Sequence, residues 1–255
     1  MKKYYDFIFS LGAACSCTQS LRASGLQMFS YPFDWLYGSD FTGRVDILLS
    51  KFSHIIEKED LENLNIYNGD PKNPCDLYHN SFNGITFNHD FAHKIPLDVT
   101  YDKVREKYER RIARLLNSIE RANKILIVYL EIPNEKNKLE NNDVLINAMQ
   151  KFKEKYPDKN FELLYFTQNS DLKFLKYKEE QVADNIIKVI GNYKEVKENA
   201  PEYAVVPKFF KKYYRKYSLK TTVKYKIKRA ITKFCIKMIP IKSIRWSLKE
   251  KYHVI

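Results

Sequence analysis

Glycine is scarce in this chain, with seven in 255 residues. A single glycine, Gly12, lies in the Leu11–Cys17 turn, so neither a dinucleotide-binding fingerprint nor a phosphate-cradling P-loop is present. Cysteine is scarce as well. Cys15, Cys17, Cys75 and Cys235 are too few for the disulfide framework of a small secreted domain, and free thiols in a reducing, cytoplasmic setting are expected. The Cys15-x-Cys17 spacing differs from the two-residue gap of zinc sites and Cys75 stands alone, so no metal site is predicted and no cofactor is implied. Long apolar runs are missing. The longest, Ile125–Leu130, falls far short of the roughly 20 residues of a membrane-spanning helix. The apolar run after Lys2-Lys3 is short and contains Asp6, unlike a secretory signal.

Acidic residues are nearly absent from one end. From residue 208 to 255 sixteen Lys and Arg accompany one acid, Glu250, whereas residues 1–207 carry 28 basic and 30 acidic side chains. The net charge of +13 therefore resides in the tail. This division predicts a near-neutral body, 1–207, and a basic tail, 208–255, that meets an anionic partner. Aromatics and cations interleave from Phe209 to Tyr217. Val223, Ile227, Ile231, Phe234 and Met238 then share one face of a predicted helix over 223–239, and Lys226, Arg229, Lys233 and Lys237 lie largely on the other. Pro240 ends this basic amphipathic helix and Trp246 follows it. Its apolar stripe suits an anionic membrane surface or packing on the body better than it suits phosphates, so no specific nucleic acid is expected.

What the chain has in abundance is aromatic surface, 19 Tyr and 16 Phe, enough for a large core. Tyr4–Ser10 reads as a strand, Cys15–Ala23 as a helix closed by Gly25, and Phe41–Phe52 and Asp60–Leu64 as short helices. Residues 66–84 read as a loop and Ile85–Phe87 as a short strand. Val104, Tyr108, Ile112, Leu115, Leu116 and Ile119 mark a long helix over 102–123. Strand, helix, strand and strand follow at 124–131, 143–156, 161–166 and 185–190. This order predicts an α/β fold with a central, mostly parallel sheet flanked by helices, ending in the basic helical extension.

Cys15 is the candidate nucleophile. It follows a strand and a glycine turn and opens a helix, where unpaired N–H groups favour the thiolate and lower the thiol pKa. A nucleophilic cysteine needs a base and a group that orients it. His89, between Asn88 and Asp90 inside the aromatic segment Phe87–Phe91, is the best-placed of five histidines. Asp34 is the candidate orienting group; Asp90 serves only if the strand bends, since adjacent strand residues point to opposite faces. Cys17, two residues on, points elsewhere on the helix and reads as packing. Arg110, Arg111 and Arg114, three and four apart, form either an anion clamp for a carboxylate or phosphate or a solvated face paired with Glu106 and Glu109.

Ser10-Leu11-Gly12-Ala13-Ala14-Cys15, Leu21-Arg22, Ser30-Tyr31-Pro32-Phe33-Asp34-Trp35, Phe87-Asn88-His89-Asp90-Phe91 and Tyr108-Glu109-Arg110-Arg111-Ile112-Ala113-Arg114 together resemble a bacterial family of unknown function labelled papain-like cysteine peptidase. The resemblance spans roughly residues 4–170. It implies a Cys–His site with Cys15 as nucleophile and His89 as base, and a papain-like α+β fold as the alternative architecture.

Three functions compete. The first is a cysteine-dependent hydrolase or acyl transferase acting on a peptide, acyl or glycan substrate. The second is a non-peptidase enzyme or accessory protein of cell-surface glycan synthesis, cytoplasmic and peripheral at the inner membrane through residues 208–255. The third is an anion- or nucleic-acid-binding protein that works through the tail.

Overall fold

The computed structural model describes residues 2–132, 141–195, 204–220, 223–241, 244–245 and 248, without the side chains of 223–226, 228–229 and 233. Trp246, His253, Glu250 and the side chains of Val223, Lys226, Arg229 and Lys233 thus lie outside the description.

The first apolar run forms two strands, β1 (Lys3–Tyr5) and β2 (Phe7–Ser10), interrupted at Asp6. The Asp6 carboxylate accepts the N–H groups of Asn123 and Lys124, which breaks the strand and anchors it. Helix α1 (Cys15–Ala23) has the limits expected from the sequence. Gly25 adopts φ +71° there, and the Leu26 N–H donates to the Leu21 carbonyl to close the helix. A 3₁₀ turn, Pro32–Trp35, leads into β3 (Leu36–Gly38). Helix α2 (Phe41–Leu49) is capped by the Asp40 carboxylate on the Gly43 N–H. Strands β4 (Leu61–Tyr67), β5 (Cys75–Asn80) and β6 (Ile85–Ala92) follow, then the long helix α3 (Leu97–Arg121). Next come β7 (Lys124–Leu130), α4 (Asn142–Lys155), β8 (Asn160–Gln168), β9 (Tyr177–Ala183) and β10 (Ile186–Gly191). The chain ends with α5 (Pro207–Tyr213), β11 (Tyr217–Leu219) and α6 (Val223–Lys237).

The fold is α/β. A five-stranded sheet, in the order β2-β7-β8-β10-β9, forms its centre; β2, β7, β8 and β10 run parallel and β9 antiparallel. Alternation along β7 sends Ile125, Ile127 and Tyr129 into one core and Leu126, Val128 and Leu130 into the other. Helices α2, α3 and α4 supply the first core, and α1 and α5 the second.

The expectation of mostly parallel pairing is corrected. Strands β3-β6-β5-β4 form a second, wholly antiparallel sheet, so pairings of the two kinds are equally frequent. This sheet covers residues read as a short helix and a loop. Beyond Leu61 the whole of β4 is exposed, so its sequence lacks apolar alternation, and hairpin pairing with β5 makes the strand. Strand β9 is half-polar and escaped the sequence reading for the same reason.

Packing in the second core continues beyond residue 207. Phe209, Phe210, Tyr213, Tyr214 and Tyr217 are buried in the second core, and β11 pairs in parallel with β1. These aromatics belong to the body. Phe210 is fully buried between the rings of Phe166, Tyr193, Phe209 and Tyr214. Phe210→Ala is expected to destabilise the protein by about 3–5 kcal/mol in urea unfolding. Phe234→Ala, on the exposed part of α6, should stay within about 0.5 kcal/mol of the parent.

Candidate active site

The chain beyond β2 keeps following β7. The Leu11 N–H donates to the Val128 carbonyl at 2.9 Å and the Ala13 N–H to the Leu130 carbonyl at 3.3 Å. Gly12 passes directly over Cys17: a Cβ at position 12 would lie 2.5 Å from Cys17 Cβ and 2.8 Å from its Sγ. Only glycine lets the turn sit this close to α1. Ala14, extended at φ −157°, is the N-cap residue and offers no side-chain cap, so the first amides of α1 remain available.

Cys15 opens α1 and is partly exposed, whereas Cys17 and Cys75 are buried. Partial burial pushes the Cys15 thiol up, and its own N–H and that of Ser16, both turned toward the sulfur, oppose the rise without cancelling it. The lowered pKa expected at a helix start is therefore corrected: desolvation outweighs the two amides and the resting thiol is neutral. Cys17 is completely buried, donates to the Val128 carbonyl at 3.6 Å and is pushed up to about 12, as suits a packing residue.

Arg44 holds this turn in place. It is fully buried, and its guanidinium donates to the carbonyls of Leu11, Gly12 and Ala13 on one side and of Leu36, Gly38 and Ser39 on the other. Burial lowers its pKa to about 10, so it stays charged at neutral pH. The sequence reading missed Arg44. The available signal was its place on the apolar stripe of α2, among Phe41, Val45 and Leu48, where a cation is out of pattern.

Asp34 is fully buried under α1. Its carboxylate accepts from Thr18 Oγ1 at 2.9 Å, Arg22 Nη2 at 3.1 Å, Gln27 Nε2 at 2.8 Å and the Tyr31 N–H at 3.0 Å. Burial raises its pKa, and Arg22, the Tyr31 N–H, Gln27 and Arg111 oppose that rise. Gln27 also accepts the Ser10 N–H, joining this network to the end of β2. None of the hydrogen bonds of Asp34 goes to His89, so its role in this structure is to brace α1 on the Pro32–Trp35 turn.

His89 lies in β6 where the register against β5 shifts. Tyr78 pairs with Phe87 and Asp76 with Phe91, so Leu77 alone opposes Asn88, His89 and Asp90. Such a bulge bends the strand and re-aims its side chains. The His89 ring meets Trp35 edge to face, with centroids 6.1 Å apart. Trp35 in turn lies 5.7 Å from the Arg22 guanidinium. Cys15, Thr18 and Arg22 share one face of α1 by their spacing of three and four. Arg22 of α1 and His89 of β6 thus flank Trp35, and among the described residues no hydrogen bond joins Cys15 to His89. Among the described histidines the other three are engaged, His54 with Asp60, His79 with Thr86 and His93 with Asp76. The His89 ring nitrogens make no hydrogen bond among the described residues. Asp90 is held by Lys107 and the Tyr108 hydroxyl on α3.

The three arginines of α3 separate. Arg110 is exposed and pairs with Glu106 at 3.5 Å, a solvated face. Arg111 turns inward over the Tyr108 ring, with a buried Nη1 that has no acceptor, and acts on Asp34. Arg114, half-buried, donates to the Ser30 carbonyl at 2.7 Å. Arg111 and Arg114 thus approach the Ser30–Asp34 turn that Arg22 also holds. Among the described residues no group of three or more His, Cys, Asp or Glu is placed to hold a metal ion.

Two outcomes follow from this geometry. Arg44→Met leaves the turn carbonyls without their buried donor and is expected to cost about 3–5 kcal/mol in urea unfolding, with faster alkylation of Cys15 in the remaining folded protein. The alkylation rate of Cys15 in the parent, followed by mass spectrometry against pH, should stay low through pH 8 and rise with a midpoint above about 9, because the raised pKa leaves little thiolate at neutral pH.

A family model described as "Putative papain-like cysteine peptidase (DUF1796)" matches residues 6–169. The matched span begins at β2 and runs through β8, and so includes Cys15, Asp34, Arg44, His89, Arg111 and Arg114. No curated protein and no solved structure matches the chain significantly. With nearly two thirds of its length inside that match, the chain belongs to the family so described, "Putative papain-like cysteine peptidase (DUF1796)".

Proposed function

We propose that the protein is a cysteine-dependent hydrolase or acyl transferase with Cys15 as its nucleophile. One observation carries the reading: Cys15, a partly exposed residue, stands at the first turn of α1 with two amide N–H groups turned toward its sulfur. Those donors are the kind that stabilise an oxyanion when a carbonyl is attacked at that sulfur. Membership of the cysteine peptidase family supports the same class of chemistry.

In this mechanism His89 is the general base. The neutral thiol gives its proton to the imidazole as Sγ attacks the acyl carbon. The tetrahedral adduct collapses to a thioester, and His89 returns the proton to the departing group. Water, or a second acceptor activated by His89, then releases the acyl group and regenerates the thiol. The raised resting pKa fits a thiol deprotonated during attack and not a standing ion pair. The free ring nitrogens of His89, its position on the β6 bulge and its contact with Trp35 support this role. Asp34 positions α1 and is not assigned a proton-transfer step.

The substrate carries an acidic group. Around the Ser30–Asp34 turn the guanidinium groups of Arg22, Arg111 and Arg114 outnumber the one carboxylate, Asp34, which makes a wedge of positive charge on that turn. Guanidinium groups in such a wedge pair with a carboxylate or phosphate.

Burst hydrolysis of succinyl and acetyl p-nitrophenyl esters tests the scheme. The parent should form a mass-detectable acyl adduct on Cys15. Cys15→Ala should abolish it, and His89→Asn should slow turnover by roughly 10²–10⁴-fold. Arg111→Met should raise KM for the succinyl ester about tenfold while leaving kcat and the acetyl ester unchanged. An adduct that survives Cys15→Ala would remove the nucleophile assignment.

A further inference from the structure

The apolar stripe of α6 points outward. Ile227, Ile231, Phe234 and Met238 follow one another at intervals of four, three and four, and are 54%, 58%, 64% and 68% exposed. Ile236, half a turn around from them, is 4% exposed. An amphipathic helix that completes a domain buries its apolar stripe. Here the stripe is the free side, and Ile241 and Ile244 extend the exposed apolar surface beyond the helix. A continuous apolar patch of this kind marks an interaction surface.

We propose that this face of α6 docks on an anionic lipid bilayer, with the helix lying in the plane of the surface. The charge around the stripe selects that occupant. Residues 208–255 hold sixteen Lys and Arg against one acid. The basic amphipathic sequence of 223–239, with Lys237 exposed about a quarter turn from the stripe, is the pattern of a helix whose apolar face enters the acyl boundary while its cations stay among acidic headgroups. A second copy of the chain would bring the same positive charge against itself. A nucleic acid would meet the cations but would leave Ile, Met and Phe side chains in water. The helix cannot serve as a span: among the described residues no helix is long and apolar enough to cross a membrane. The inference stands apart from the assignment of Cys15, since it uses no residue of that site.

Co-sedimentation of the full chain with vesicles of phosphatidylcholine containing about a quarter phosphatidylserine, compared with phosphatidylcholine alone, provides the test. Binding is expected only with the acidic lipid and should weaken as salt is raised. The double substitution Ile231→Asp and Phe234→Asp should lower the apparent affinity by at least about tenfold. Both positions are exposed, so an unchanged thermal melt is expected and confirms that the variant is folded. F234W should add a fluorophore whose emission shifts to the blue on phosphatidylserine vesicles. No binding to acidic vesicles, or equal binding by the double variant, overturns the proposal. So does light scattering that shows a dimer which the double variant dissociates, since the face is then a self-interface. Salt-dependent binding to single-stranded DNA that the double variant retains, without vesicle binding, assigns the charge to nucleic acid and also overturns it.

Discussion

The buried Arg44 guanidinium ties together the parts on which the rest of the site depends. It accepts the desolvation of a full positive charge and discharges it onto backbone carbonyls from two separate stretches, Leu11–Ala13 and Leu36–Ser39. A hydrophobic side chain could fill that volume but would orphan several carbonyls that have no water to turn to. A lysine offers a single ammonium and lacks the planar fork that reaches both stretches. The constraint explains why α2, which otherwise buries Phe41, Val45 and Leu48, carries a cation on its apolar stripe. It also sets the path of the turn that delivers Cys15 to the start of α1.

A second buried network works beneath α1. Asp34 gathers Thr18, Arg22, Gln27 and the Tyr31 amide, so one carboxylate fixes the helix face that Cys15 shares with Thr18 and Arg22. These groups are costly to bury singly and offset one another through these hydrogen bonds, although the buried Arg22 Nε has no partner among the described residues. Their rigidity gives the half-buried Cys15 a defined position, and the same burial that gives it position keeps its thiol protonated at rest. Positional order and a lowered thiol pKa compete here, and burial prevails over the two first-turn amides.

The candidate base reaches the site through a different physical device. A regular β6 would carry His89 on the same face as Phe87 and Phe91, both fully buried. The register shift between β5 and β6 releases it from the core and sets it against Trp35. The antiparallel sheet thus adds more than area to the α/β body: its irregularity brings a titratable ring toward the α1 side. At the other end of the chain, α5 and β11 lock their aromatics into the body and leave α6 to present its own apolar stripe outward.

Local pattern alone determined much of this. The limits of α1, the glycine that ends it, the parallel strands β7, β8 and β10, and the helices α3 and α4 all follow from spacing, because each depends on side chains a few residues apart. Cys15 was identifiable from its place after a strand and a glycine turn, Asp34 and His89 from their aromatic segments, and Arg110, Arg111 and Arg114 from their helical spacing. Tertiary structure decided what the polar groups do. The exposed strand β4 and the half-polar β9 exist because neighbours pair with them, and no periodicity records that. The partner of Asp34, the buried place of Arg44, the raised thiol pKa of Cys15 and the separation of Arg110 from Arg111 depend on residues far apart in sequence. Desolvation and hydrogen bonding act on what is brought close in space, and only the folded chain settles which groups those are.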